Sequence, residues 1–306
     1  MMDDPERIDE PLSALTGTLH YGFAGDLFAY DLSSGAIDMV AEQKGRQGPF
    51  FSPDGAFFTT NNWPGSNDGV AIWGLNSYTI QKEFTLFNTL TSEDLGVRIA
   101  PGGTLFSGIL NPSSGFSEDL AVFDDDGRVL YRLDGDAIRF KGHTWDNLQN
   151  LYFTGEIEAG NLSGTKVLAK VTDLETSAIT VIRTFDAEFG DVPDALSVSP
   201  DGSQIAYNYK SDIWIGATSA DATDHRECFG AVQSLSAPVF SPDADYIALV
   251  MLNSNTSLRG DLHVARIPAA GSTTLTPEGP SKLPGPNSSL NSTWATGGDG
   301  SVGWIR

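Results

Sequence analysis

Four histidines and a small group of cations are the side chains of this sequence whose type and placing could do chemistry. His20, His143, His225 and His263 can each move a proton or hold a metal near neutral pH, but they are scattered along the chain and only the fold could gather them. His143 stands apart. In the repeat described below it occupies the place before a tight turn, where other copies carry Phe51, Ile99, Val198, Phe240 and Ala295. It reads either as a buried histidine with a backbone partner or as a ligand or proton-transfer group, and it is the one catalytic candidate. Arg46, Arg98, Arg139 and Lys141 lie at or just before the first strand of three successive repeats. Cations are scarce here, 18 Lys and Arg against 40 Asp and Glu. Gathered at one place, these four would form a cationic mouth for an anionic group such as an acidic side chain, a chain terminus or a sugar acid. Local pairing with acids such as Asp94 and Asp136 is the alternative.

Several kinds of chemistry are disfavoured. The chain has no Gly-x-Ser-x-Gly elbow, no His-Glu-x-x-His and no phosphate-binding Gly-Lys loop, so no metal or cofactor site is expected. Asp124-Asp125-Asp126-Gly127 lacks calcium-loop spacing and reads as a hairpin turn. A formal net charge of -22 and a pI near 4.3 repel phosphate backbones and anionic membrane surfaces. Cys228 is the only cysteine, which rules out an intrachain disulfide. No stretch is long and apolar enough to span a bilayer, and the first residues show no signal-peptide core.

The elements that must position these residues follow from a repeat. Ser52-Pro53-Asp54-Gly55 recurs as Ser199-Pro200-Asp201-Gly202 and as Ser241-Pro242-Asp243-Ala244; Ala100-Pro101-Gly102-Gly103 is a weaker copy, and Thr144-Trp145-Asp146-Asn147 and Thr296-Gly297-Gly298-Asp299 are looser ones. Proline presets φ, aspartate bonds back to the backbone and glycine takes positive φ, so each copy is a tight turn. Apolar strands flank it, as Val239-Phe240 and Ile247-Ala248-Leu249-Val250 do. A third strand follows, for example Asp212-Ile213-Trp214-Ile215, then a fourth such as Thr180-Val181-Ile182-Arg183. One unit is therefore a four-stranded blade.

Six turns and six third strands are offset by one. The economical closure places both termini in one blade, giving an all-β, six-bladed β-propeller over residues 17–306 after a flexible N-terminal segment, 1–16. Thr18 to Phe23 and Ser301 to Ile305 compete for the second strand of that shared blade, which leaves a seven-bladed ring as the alternative.

The Ser-Pro-Asp-Gly turn followed by Ile205-Ala206-Tyr207 and Asp212-Ile213-Trp214-Ile215, together with Gly25-Asp26-Leu27-Phe28-Ala29-Tyr30-Asp31-Leu32, resembles the TolB-like propeller repeat. The resemblance runs from about Gly17 to Arg306. It implies a six-bladed propeller and suggests a periplasmic or extracellular setting. The α/β domain that precedes the propeller in TolB has no counterpart in this sequence, so that protein's own role is not carried over. Propeller geometry puts the second-to-third strand loops on one face, and four of these are long: Asn61 to Gly69, Asn111 to Glu118, Gly155 to Thr165 and Asn253 to Gly260. Trp63 and Phe116 fall in two of them and suit a partner-binding surface. The expectation is a non-enzymatic binding module with a protein partner. An enzyme or small-molecule binder of polysaccharide lyase or hydrolase type, with an anionic ligand at the channel mouth, is the alternative.

Overall fold

Positive φ at the fourth residue of five turns sets the rhythm of the chain: Gly55, Gly103, Gln149, Gly202 and Ala244 all adopt it, between 62° and 74°. A computed structural model describes the chain from Leu15 to Ile305, apart from residues 24–25, 43–46, 62–68, 86–88, 91–95, 112–118, 135, 161–162, 186–191, 211, 221, 230–237, 253–258, 269–280, 283–289 and 292–301.

The strands follow one another as antiparallel meanders. Blade 1 holds β1 (Thr18–Phe23), β2 (Asp26–Asp31) and β3 (Ile37–Glu42). Blade 2 is β4 (Gln47–Phe51), β5 (Phe57–Asn61), β6 (Gly69–Gly74) and β7 (Thr79–Thr85). In blade 3, β8 (Thr89–Leu90) and β9 (Arg98–Ile99) both pair with β10 (Leu105–Asn111), and β11 (Asp119–Asp124) and β12 (Val129–Leu133) follow. Blade 4 is β13 (Ile138–Trp145), β14 (Leu151–Ile157), β15 (Lys166–Asp173) and β16 (Ala178–Phe185). Blade 5 is β17 (Asp194–Val198), β18 (Gln204–Tyr209), β19 (Asp212–Ala217) and β20 (Arg226–Phe229). Blade 6 is β21 (Val239–Phe240), β22 (Tyr246–Leu252) and β23 (Arg259–Arg266), with β24 (Ser281–Lys282) and β25 (Leu290–Asn291) both on β23. The last strand, β26 (Val302–Ile305), returns to blade 1 and pairs with β1, Trp304 opposite Leu19 and Val302 opposite Tyr21.

This pairing settles the competition seen in the sequence. β1 is the second strand of blade 1, and β26 is its innermost strand rather than a second strand. Both candidate segments are used, in different places, so the seven-bladed alternative falls and the ring has six blades. The loose turn copy at Thr296-Gly297-Gly298-Asp299 lies outside the described residues. Leu15 is buried against blades 1 and 6, and the Thr16 carbonyl accepts from the Trp304 indole at 3.2 Å, so packing reaches back to residue 15.

A twisted sheet with two apolar faces must cover both. Here six core clusters do so, each shared by two consecutive blades. Between blades 2 and 3, for instance, Val70, Ile72, Val97, Ile99, Phe106 and Phe123 interlock. Between blades 6 and 1, Ala248 and Val264 meet Leu19, Tyr30 and Trp304. No helix among the described residues is long and apolar enough to cross a membrane.

The turn motif explains itself in hydrogen bonds. Ser52 Oγ donates to Asp54 Oδ1 at 2.6 Å and accepts from the Phe57 N–H; Ser199 and Ser241 repeat both contacts. The fourth blade corrects the alignment read from sequence. Its turn is Asp146-Asn147-Leu148-Gln149, two residues later, because the Asp146 N–H closes on the Asn150 carbonyl as the Ser52 N–H closes on that of Phe57. Asp146, itself buried, accepts from the Leu148 and Asn150 N–H groups, the Asn150 side chain and the Tyr152 hydroxyl. Neighbouring turns are tied together: Asp54 accepts from the Gly102 N–H, Gln149 donates to the Pro101 carbonyl and Asn147 to the Pro200 carbonyl.

Two outcomes follow from these features. Ala244 holds φ at 62° where an L-residue is disfavoured, so Ala244→Gly should raise unfolding free energy by about 0.5–1 kcal/mol; a loss of stability in denaturant titration would contradict this. Deleting residues 290–306 removes β26 and strips the innermost strand from blade 1. The truncated chain should aggregate or lose its cooperative melting transition, and an unchanged transition would refute closure through β26.

Candidate functional site: the central channel

The innermost strand of each blade borders the central channel. Counting from the turns in five blades, and by register with Leu19 in blade 1, one equivalent residue per blade forms a ring: Phe51, Ile99, Trp145, Val198, Phe240 and Trp304. One step earlier come Phe50, Arg98, Thr144, Ser197, Val239 and Gly303. Residues from all six blades enclose a cavity of about 110 Å³ that reaches toward the tied turns, with Ser52, Pro53 and Pro200 in its wall.

Arg98 is the cation that lines this cavity among the described residues. Its residue is 8% exposed, and its guanidinium stands over the Phe50 ring, 4.5 Å from the centroid, a contact of blade 3 with blade 2. Directly across in register is Ser107, wholly buried. Trp145, on the next blade, is 2% exposed, and its indole N–H finds no acceptor among the described residues.

The other expected site residues fall elsewhere. Arg139 is half exposed and does not join Arg98; its guanidinium pairs with Glu156 directly across on β14 at 2.5 Å and with Glu158 at 3.6 Å. Cross-strand carboxylates therefore hold it, not Asp136. Lys141 sits at a register shift in β13, between Phe140 and Gly142, and does not line the cavity. Arg46, Trp63 and Phe116 lie outside the described residues, as does most of the long loops. His143 is buried opposite Phe153. With the corrected alignment its equivalents are Pro49, Val97 and Leu196, three residues before the turn, and it does not line the cavity. The place before the turn belongs to Trp145. That residue was hidden by the two-residue slip; the signal that exposes it is the ring of bulky apolar residues at equivalent places.

His20 and His225 tie neighbouring elements together. His20 Nε2 lies 3.1 Å from the Tyr78 hydroxyl, linking blade 1 to blade 2. Burial pushes its pKa down to about 4, against a smaller opposing effect of a hydrogen bond with the Thr18 backbone. His225 bridges the Tyr207 hydroxyl and the Ala217 carbonyl, both at 3.0 Å. Burial, then the nearby Arg183, holds it below the usual histidine range. Arg183 also donates to Tyr207 at 2.8 Å and stands over Trp214 at 4.8 Å, binding blade 4 to blade 5. Cys228 is buried, and burial raises its thiol to about 11, which leaves it unreactive near neutrality. Asp124 caps its own hairpin by accepting from the Asp126 and Arg128 N–H groups, as expected of a turn. Among the described residues no cluster of three or more His, Cys, Asp or Glu could hold a metal.

No protein-family model matches the sequence, and no curated protein matches it. Solved structures match the fold. A putative TolB from Agrobacterium tumefaciens is 13% identical with a TM-score of 0.60, covering 95% of this chain and 99% of that one. TolB from Acinetobacter baumannii is also 13% identical, with a TM-score of 0.57, covering 82% of this chain; the match spans 61% of that TolB chain. The propeller domain of Cps50 (Swd1) from Myceliophteria thermophila is 11% identical, with a TM-score of 0.53, covering 87% and 85%. The chain is thus a six-bladed β-propeller whose shape resembles TolB-like and WD-type propellers at low sequence identity, and the likeness is one of fold.

One stability effect is specific to the site's frame. His20 is neutral in the folded protein, whereas an unfolded chain protonates it below about pH 6.5. Its contribution is complete above that pH and is lost as pH falls toward 4, amounting to about 2 kcal/mol by pH 5. The slope of unfolding free energy against pH between 5 and 7 should be shallower in His20→Gln than in the wild type. Equal slopes would show that His20 does not carry the effect.

Proposed function

We propose that the protein is a non-enzymatic binding module, a protein-interaction propeller or a subunit of a larger assembly, and that its partner docks on the face of the second-to-third strand loops. The contrast between the two faces supports this. On one face, short turns are bonded blade to blade through Asp54, Asn147 and Gln149. On the other, β5 and β6, β10 and β11, β14 and β15, and β22 and β23 are joined by connections of seven, seven, eight and six residues. A rigid ring that carries long loops on one side is the arrangement in which loops recognise and the scaffold only positions. Trp63 and Phe116 are the anchors suggested by sequence, since large aromatics supply most of the energy in such interfaces.

The test is capture of the partner from the source organism with chemical cross-linking, using the full chain and the Trp63→Ala/Phe116→Ala double variant. Cross-links should concentrate on the long-loop face. The variant should melt as the wild type does and bind the captured partner at least about tenfold more weakly. Cross-links confined to the turn face, or undiminished binding by the folded variant, would place the interface elsewhere.

A further inference from the structure

We infer that His225 is a pH-sensitive latch between blades 4 and 5, closed while its imidazole is neutral and released when the ring takes a second proton. Four groups in a row make the latch. The Arg183 guanidinium, from the outermost strand of blade 4, donates to the Tyr207 hydroxyl at 2.8 Å. That hydroxyl lies 3.0 Å from His225 Nδ1, and His225 Nε2 lies 3.0 Å from the Ala217 carbonyl. The two ends fix the direction of the row. A carbonyl only accepts, so Nε2 carries the ring proton and Nδ1 offers a lone pair. A guanidinium only donates, so Tyr207 accepts from Arg183 and gives its own proton to Nδ1. Every member is satisfied, and only with a neutral imidazole.

A second proton has no place in this row. On Nδ1 it would point at the phenol, whose own proton then loses its acceptor. It would also set a second cation across that phenol from Arg183. The ring is seated close against β19, where a Cβ on Gly216 would lie 2.2 Å from it. Among the described residues, the charged groups that act on His225 are Arg183 of β16, which opposes a proton, and Asp224 beside it in sequence, which favours one less strongly. Tyr207 of β18 is neutral, burial holding its phenol above the usual range; β19 presents Gly216 and the Ala217 carbonyl. The latch holds the return into the last strand of blade 5. Just before His225, the Ala222 N–H donates across the junction to the Ile182 carbonyl of blade 4 at 3.2 Å, and Ala222 packs on a cluster that includes Ile182, Phe185 and Tyr207. Thr218 is tied separately to Gly202 and Ser203, so release frees residues 222–225 from blade 4 and leaves the Ser199 turn in place. Linkage gives the sign. Latched, His225 is held below the usual histidine range, by burial first and Arg183 second; released, it titrates near about pH 6.5. The released form binds the proton that the latched form refuses, so release becomes easier as pH falls below about 6.5.

The experiment is amide hydrogen exchange followed by NMR on the full chain, each rate divided by the intrinsic rate at that pH, so that it reads local opening. The Ala222 amide reports on the latch. The Ala71 amide, on a buried strand paired on both sides in blade 2, reports on opening of the ring as a whole, including any effect of His20. Protection at Ala222 should fall severalfold between pH 7.5 and 5.5, with about tenfold the limit for one proton, and by more than protection at Ala71. His225→Gln, whose amide both donates and accepts but does not titrate, should abolish the excess fall at Ala222. Arg183→Met, which removes the cation opposing the proton, should reduce it. If His225→Gln fails to fold, Arg183→Met and the comparison of Ala222 with Ala71 in the wild type decide. Unchanged protection at Ala222, a fall no larger than at Ala71, or the full excess fall in folded His225→Gln would overturn the inference. Capture of a partner on the long-loop face at pH 7.5 does not involve the latch, so the docking reading and this one fail separately.

Discussion

Everything in this molecule depends on the pairing of β1 with β26. Each blade has two apolar faces, and each face is covered only by the next blade, so an open array would leave two faces in water. Five blades are continuous in sequence and would form wherever their turns allow. The first blade exists only when residues 302–305 return to residues 18–21. Its neighbours reinforce that return. Trp304 bonds to Thr16, Ile305 packs beneath the turn at Gly55, and His20 reaches Tyr78 on blade 2. Trp304 and Thr16 are 288 residues apart in sequence and the β1–β26 pairing joins the same two segments, so loop-closure entropy must be overcome before they form.

How much of this could be read from sequence follows from what each feature depends on. The repeat was legible because a tight turn needs particular residues: a proline, an aspartate, and a fourth residue tolerant of positive φ. Where Gln149 and Asp146 fill those roles instead of glycine and serine, the pattern shifts by two residues and His143 is credited with a place that belongs to Trp145. The split blade was legible as an imbalance between turns and strands, but not in its strand order, because no turn joins β26 to β1. Which acid holds Arg139 was not legible for another reason. Its partner Glu156 is seventeen residues away and becomes adjacent only through the register of β13 with β14, which periodicity does not supply. Arg46, Trp63 and Phe116 stand as sequence expectations alone.

Departures from the repeat show what packing requires of each blade and what it leaves free. Sixfold similarity of the blades is what packing requires; residues that serve packing recur, as the serine–aspartate turns do on blades 2, 5 and 6. The inner row does not recur: Phe50, Thr144, Ser197, Val239 and Gly303 differ from one another, and Arg98 stands among them at a buried site where a charge is costly unless paired. One blade on, Asp146 gathers four hydrogen bonds where serine makes fewer. That carboxylate, after burial, also holds the Tyr152 phenol above its usual range. Blade 4 thus exchanges the serine of the turn for a carboxylate. The turn of blade 4 keeps the hydrogen-bonded path and the positive φ of the others with a different set of residues, so what packing fixes is the path of the turn rather than the side chains that draw it.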